Sequence, residues 1–147
     1  MAQVMTGANV HLPLFFNISN RVGAGCANAT EDVVLASYLM RLSGKSSKNP
    51  KAREICQNTA VTYSATDDFI KSITDLQCAL GIDADGRISP SSSNGMYSGG
   101  RSYLIANFNK NVRVGYADLW PRIDRIPDIS VPALVTALVH RTVIGLM

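Results

Sequence analysis

Apolar residues recur at helical spacing over residues 66–80 and form one stripe, as in an amphipathic helix with one face in a core. Signals at both ends fit a helix: Ser64 with Asp67 matches a capping box, and Gly81 supplies a left-handed stop. The pattern predicts a helix over residues 66–80. The apolar members of the stripe are Phe69, Ile70, Ile73, Leu76 and Leu80.

One polar residue, Gln77, also lies in this stripe. A buried carboxamide costs free energy unless its donor and its acceptor are both used. We therefore predict that Gln77 bonds to backbone groups of the loop that follows the helix. That loop contains Asp85 and Gly86, a pair suited to a tight turn.

Further helices are predicted on both sides of this element. A run that is apolar on almost every side, residues 31–42, predicts a helix that is either central or shared with a partner, capped by Asn28 or Thr30. Residues 52–59 and 102–108 predict two shorter helices. Residues 11–18 predict a strand or an extended arm, and residues 120–132, with three prolines, an irregular connector.

The last helix follows Ser130 and Pro132 and has apolar residues on two opposite faces. We expect it to be mostly buried, either as an extra layer on the bundle or partly in an oligomer or carrier contact. The fold class predicted is mainly α: a compact bundle of short helices with an extended N-terminal arm and an extra C-terminal helix. Residues 1–147 are expected to form a single domain, because this length is near the commonest domain size.

Three segments resemble the peptidoglycan-binding-like domain family, small helical modules often appended to cell-wall enzymes. They are NRVGAGCANATEDVVLASYLMRLSG (residues 20–44), SATDDFIKSITDLQCALGIDADGRISP (residues 64–90) and GGRSYLIAN (residues 99–107), in the order of the family. The resemblance covers residues 18–110, which would form the core of the module. Residues 111–147 would be a C-terminal extension that the family does not cover.

The resemblance implies a non-catalytic module that recognises peptidoglycan or its stem peptides. We expect a shallow groove beside the turn at residues 85–90, where Arg87 and Arg101 would bind stem-peptide carboxylates and Tyr97 or Tyr103 would add contact surface. Hydrogen bonds from Arg87 and Arg101 to local carbonyl groups are an equal alternative.

A second class of function is a protein-interaction adaptor or structural component. The chain departs from the family pattern at Ser37, which stands where such members often have Gln, and at Leu76, which replaces an aromatic residue. Members of this group occur beside contractile secretion systems. These features favour a component of a secretion or phage-like apparatus that has lost wall binding, possible partners being a protein of that apparatus or a second copy joined through the last helix.

Composition and charge add little to this choice. Hydrophobic residues make up 46% of the chain and charged residues 17%, which excludes disorder. The formal net charge of +3 comes partly from Lys45, Lys48, Lys51 and Arg53, which we expect in a solvated loop rather than on a helix face. No nucleic-acid partner is predicted.

The enzymatic alternative is a Cys-dependent cell-wall hydrolase. Cys26 lies just before a predicted helix, whose N-terminus would favour the thiolate, and His140 would be the base. No other motif predicts catalysis, a cofactor or a metal. The sequence SGKSSK (residues 43–48) lacks the first glycine of a phosphate loop, and DADG (residues 83–86) lacks the ligands of a calcium loop.

Cysteine usage and hydropathy bear on the compartment. The three cysteines are odd in number and show no paired spacing, so a disulfide framework is not expected. No export signal or membrane span is predicted, because the apolar run at residues 12–16 is short and contains Pro13. We expect a cytoplasmic chain by default, or one that a secretion system delivers to the periplasm or outside.

Overall fold

A computed structural model describes residues 2–6, 14–91, 97–98, 101–102 and 104–146, and of residues 3–6, 14–15, 97–98, 101–102 and 145–146 only the backbone. The described part of the chain is mainly helical, as predicted. Its helices are α1 (Thr30–Ser43), α2 (Pro50–Gln57), α3 (Asp67–Leu80), α4 (Leu104–Gly115) and α5 (Ala133–Leu146), with a 3-10 turn at Ile123–Arg125.

Short antiparallel strand pairs connect the helices. β1 (Gln3–Thr6) pairs with β2 (Leu14–Asn17), β3 (Val22–Gly23) with β4 (Arg87–Ile88), and β5 (Tyr97–Ser98) with β6 (Arg101–Ser102). The predicted N-terminal strand is therefore present at Leu14–Asn17, and residues 7–13 lie outside the described ranges.

The core is centred on α1, which packs against α2, α4 and α5. Every residue from Asp32 to Met40 is buried, which explains why this segment is apolar on almost every side. The cluster of buried apolar side chains extends from Phe16 in β2 to Val143 in α5. The stretches at residues 20–44, 64–90 and 99–107 meet in this core, since α1 packs on α4 and α3 packs on β3 and β4.

The last helix is less buried than predicted. Val135, Leu138, Val139 and Val143 are at most 1% exposed, so one face does pack on the bundle as an extra layer. The opposite face is exposed at Ala133 and Ala137, and Ile144 is 38% exposed. Within this chain the predicted burial thus holds for one face only, and an oligomer or carrier contact at the other face stays a prediction.

The predicted helix caps are partly wrong. Thr66, not Ser64, caps α3, and its hydroxyl oxygen accepts from the Phe69 amide at 3.1 Å. α1 begins after Ala29 without a side-chain cap. Gly81 ends α3 at φ 71°, in the left-handed region, as predicted.

Two other boundaries differ from the prediction. α4 begins two residues later than the predicted segment at residues 102–108 and continues to Gly115. Lys51 and Arg53 belong to α2 rather than to a loop. Arg53 donates to the Ser47 carbonyl from Nε at 3.0 Å and from Nη2 at 2.9 Å, so this cation ties α2 to the preceding loop.

None of the helices in the described ranges is long and apolar enough to cross a bilayer.

Candidate functional site

The candidate site lies where the loop after β3 meets the turn before β4. Val22 pairs with Ile88 and Gly23 with Arg87, and the Ala24 amide donates to the Gly86 carbonyl at 3.0 Å. A Cβ atom on Gly23 would lie 2.0 Å from that carbonyl oxygen. The two backbones are therefore in direct contact, and this approach requires glycine at position 23.

Gln77 holds the turn from the helix side. Its side chain is buried, and its Oε1 accepts from the Gly86 amide at 2.9 Å. Its Nε2 donates to the Arg87 carbonyl at 3.0 Å and to the Asp85 carboxylate at 2.9 Å. Donor and acceptor are both used, on the backbone of the adjacent loop, which is the arrangement that the sequence predicts for Gln77.

Asp85 and Gly86 complete the turn. The Asp85 carboxylate also accepts from the Arg87 amide at 3.0 Å, which closes an Asx turn. Gly86 has φ 70°, a conformation that glycine adopts without strain. A Cβ on Gly86 would lie 3.1 Å from the Thr74 hydroxyl oxygen, so the turn also packs closely on α3.

Asn28 fixes the opposing loop. It adopts φ 52°, a left-handed conformation that asparagine tolerates better than most residues. Its Oδ1 accepts from the Gly23 amide at 2.7 Å, and its Nδ2 donates to the carbonyl groups of Gly23 at 3.0 Å and Cys26 at 3.1 Å. Asn28 therefore shapes the loop that approaches Gly86. The prediction that Asn28 caps α1 is wrong.

Arg87 is the exposed cation of this surface. Its Nε donates to the Ala24 carbonyl at 2.9 Å, which joins the two loops through one side chain. Within the described residues its two Nη atoms make no hydrogen bond. The guanidinium is thus fixed on one edge and offers donors on the other, so that loop fixing and ligand contact are compatible at Arg87.

The other predicted binding residues are only partly described. The backbones of Tyr97 and Arg101 belong to the paired strands β5 and β6. Their side chains, and the whole of Tyr103, lie outside the described residues.

Cys26 and His140 each have a different neighbour. The Cys26 thiol donates to the Ala24 carbonyl at 3.4 Å. His140 Nε2 lies 3.7 Å from the Asp124 carboxylate, which Arg122 binds through two hydrogen bonds of 2.9 Å. In the described part of the chain no hydrogen bond joins Cys26 to His140, so the structure does not pair this thiol with this imidazole.

A metal site would need several ligating side chains in one place. Among the described residues, no group of three or more His, Cys, Asp or Glu side chains is placed to bind a metal ion.

Two buried carboxamides that the sequence reasoning missed hold β2. Asn109 of α4 accepts from the Phe16 amide at 2.6 Å and donates to the Phe16 carbonyl at 2.8 Å. Asn17 exchanges the same kind of pair with the backbone of Ser91, at 3.0 Å each way. A signal for Asn109 was present, since it occupies an apolar face of α4 together with Ile105 and Val112.

Three clefts formed by described residues lie away from the turn. Their volumes are about 220, 280 and 500 Å³, and none of the three is lined by Asp85, Gly86 or Arg87. The groove predicted beside residues 85–90 is not one of them.

We compared the chain with models of known protein families, with curated proteins and with solved structures, and none of them matches. The fold and the site thus define a class only: a mainly helical domain in which buried carboxamides fix the loops.

Proposed function

We propose that this chain is a non-catalytic binding module that recognises the stem peptides of peptidoglycan through the surface around Arg87. The proposal is based on the sequence resemblance and on the contact between the three resembling stretches. The observation that carries it is that two side chains fix the turn: the buried Gln77 of α3 bonds to its backbone, and the exposed Arg87 bonds to the neighbouring loop.

The chemistry of recognition follows from the guanidinium. A carboxylate takes up the outer edge of an arginine through two parallel N–H donors, and such charge-assisted bonds are the stronger kind. Because the Ala24 carbonyl already holds Nε, binding would cost little further side-chain entropy. Under this proposal a secretion system carries the chain to the periplasm or to the outside of the cell.

Co-sedimentation of the purified chain with isolated sacculi tests the proposal. We expect retention by sacculi that falls at least about fivefold in Arg87→Ala, the loss of one charge-assisted contact, and that falls also in Arg101→Ala. The matched control is Arg125→Ala, which removes an exposed arginine of the 3-10 turn, remote in sequence from the site. An equal fall in Arg125→Ala would show only non-specific charge attraction and would refute the proposal.

The second candidate is an adaptor or structural component without wall binding. The exposed side of α5, with Ala133, Ala137 and Ile144, favours it because this face is apolar and no described element covers it. This candidate predicts no retention by sacculi and a stable oligomer or protein complex in solution. Light scattering of Ala137→Glu should then show dissociation, whereas Ala60→Glu, at an exposed alanine before α3, should leave the assembly unchanged.

A further inference from the structure

A cleft between α2, α3 and α4 lies apart from the turn around Arg87 and has a volume of about 220 Å³. We call it the α2–α4 cleft. Its floor is largely apolar, since Ala52, Cys56, Leu76 and Phe108 line it and are each about 2% exposed. The buried Ser43 also lines it, with its hydroxyl donating to the Met40 carbonyl at 2.7 Å. Leu80 also lines it and, at 37%, is the most exposed of the leucines whose burial the structure describes. A small apolar ligand in the cleft would itself leave water and would cover Leu80.

The rim of the α2–α4 cleft is polar and carries one sign of charge. Lys48 is the one charged residue of its lining, and no carboxylate lines it. Asn49 has its side chain engaged, because it caps α2 and donates to the Ala79 carbonyl at 3.1 Å. The amide side chains of Asn107 and Asn111 complete the rim. The charge that complements this rim is negative.

The size of the cleft limits the ligand. An apolar cavity of about 150 Å³ holds benzene, with six heavy atoms, so a cleft of this volume holds about nine heavy atoms. We propose that the α2–α4 cleft binds a small aliphatic carboxylate, with its chain on the floor at Ala52 and Leu76 and its carboxylate beside Lys48. The proposal does not depend on recognition of peptidoglycan at Arg87.

Two sources carry this chemistry: a short fatty acid and the C-terminal aliphatic residue of a peptide. Hexanoate and N-acetyl-alanine represent them as probes that fit this size limit, and the tighter of the two identifies the source. Hexan-1-ol is the matched neutral ligand. NMR titration of the labelled full chain should show saturable shifts of the amides of Ala52, Cys56 and Leu80 with a carboxylate probe. Hexan-1-ol should bind about two- to fivefold more weakly, the effect of one exposed ion pair.

Two lysine variants test whether the carboxylate of the ligand lies beside Lys48. Lys48→Gln should weaken hexanoate about two- to fivefold and leave hexan-1-ol unchanged. Lys51→Gln removes an exposed lysine of α2 that does not line the cleft, and it should bind like the wild type. Ala52→Leu should abolish binding by filling the floor. Ala52 is buried, so the thermal unfolding of the Ala52→Leu variant is measured as well. If this variant does not fold, the comparison of Lys48→Gln with Lys51→Gln decides the result.

The thiol of Cys56 gives an independent readout of position. Burial raises the pKa of this thiol, so its labelling is slow, and the other two thiols are removed by Cys26→Ser and Cys78→Ser. Hexanoate should slow the labelling of Cys56 further in this variant. Absence of binding by both carboxylate probes at millimolar concentration would overturn the proposal. So would equal affinity of hexanoate and hexan-1-ol, or equal effects of the two lysine changes.

Discussion

Gln77 and Asn109 are both carboxamides buried in a helix, yet they fix very different parts of the chain. Gln77 bonds to a turn eight to ten residues further along, at Asp85, Gly86 and Arg87. Asn109 bonds to both backbone groups of Phe16, 93 residues away, and to the Ile105 carbonyl of its own helix. We call each of these two sets of hydrogen bonds a clamp. The clamp of Gln77 is local in sequence, and the clamp of Asn109 joins two segments that are far apart in sequence.

The surroundings of the two clamps differ as well. Asp85 and Arg87 are exposed, so water can reach much of the turn if Gln77 is lost. Phe16 is 0% exposed and its ring packs edge-on against Trp120 at 5.4 Å. Its amide and carbonyl would find no water. The same side-chain chemistry should therefore contribute more to stability at Asn109 than at Gln77.

The largest effect is expected for Asn109→Ala. The change leaves the Phe16 amide and carbonyl buried without these partners, which costs about 3 to 5 kcal/mol of unfolding free energy. Urea unfolding followed by circular dichroism measures it. Asn107→Ala, at a half-buried position of the same helix, is the control and should cost less than about 1 kcal/mol. Equal losses in the two variants would show that the clamp at Phe16 contributes nothing.

Gln77→Ala is expected to have a smaller effect. It removes the bonds to Gly86 and Arg87, but the exposed side of the turn gains water, so we expect a loss of about 2 kcal/mol. Gln57→Ala, on the exposed surface of α2, serves as the control and should stay within about 0.5 kcal/mol of the wild type. A loss at Gln77 as large as that at Asn109 would contradict the comparison.

The smallest effect is expected at the ion pair of Arg122 and Asp124. Unlike the effects of the two carboxamide changes, it should depend on pH. The hydrogen bonds from Arg122 lower the pKa of Asp124. A carboxyl group with a lowered folded-state pKa stabilises the fold above its unfolded pKa of about 3.9, and this contribution disappears as the pH falls through the folded value.

Thermal unfolding at about pH 6 and about pH 2.5 separates the ion pair from the clamps. Asp124→Asn should be less stable than the wild type at the higher pH, and the difference should shrink at the lower pH. The deficit of Asn109→Ala should shrink less, because neither its carboxamide nor its backbone partners at Phe16 and Ile105 titrate. An Asp124→Asn deficit that is the same at both pH values would exclude a contribution from the ionised pair.

Local signals in the sequence were sufficient for part of this structure. The stop at Gly81, the polar position of Gln77 in an apolar stripe and the Asp-Gly pair lie within ten residues, and each has its own physical reason. The cap at Thr66 was missed because Ser64 offered an equivalent hydroxyl two residues earlier. Such competition between neighbouring residues is decided by the path of the chain, which the local pattern does not contain.

The contacts between distant segments could not be predicted from the local sequence. Nothing near Asn109 indicates that Phe16 is its partner, and nothing near Asn28 indicates that its side chain serves Gly23 rather than the start of α1. Both faces of α5 are apolar, and composition alone does not say which of them meets the core of this chain. These features depend on tertiary packing.

The clamp of Gln77 on Gly86 is the central claim of this account, and hydrogen exchange at the Gly86 amide tests it most directly. We predict that this amide exchanges at least about 100-fold more slowly than a free amide in the wild type, and that Gln77→Ala makes it fast while the amide of Ile73 in α3 stays slow. A Gly86 amide that exchanges at the free rate in the wild type, or equally slowly in both proteins, would contradict the account.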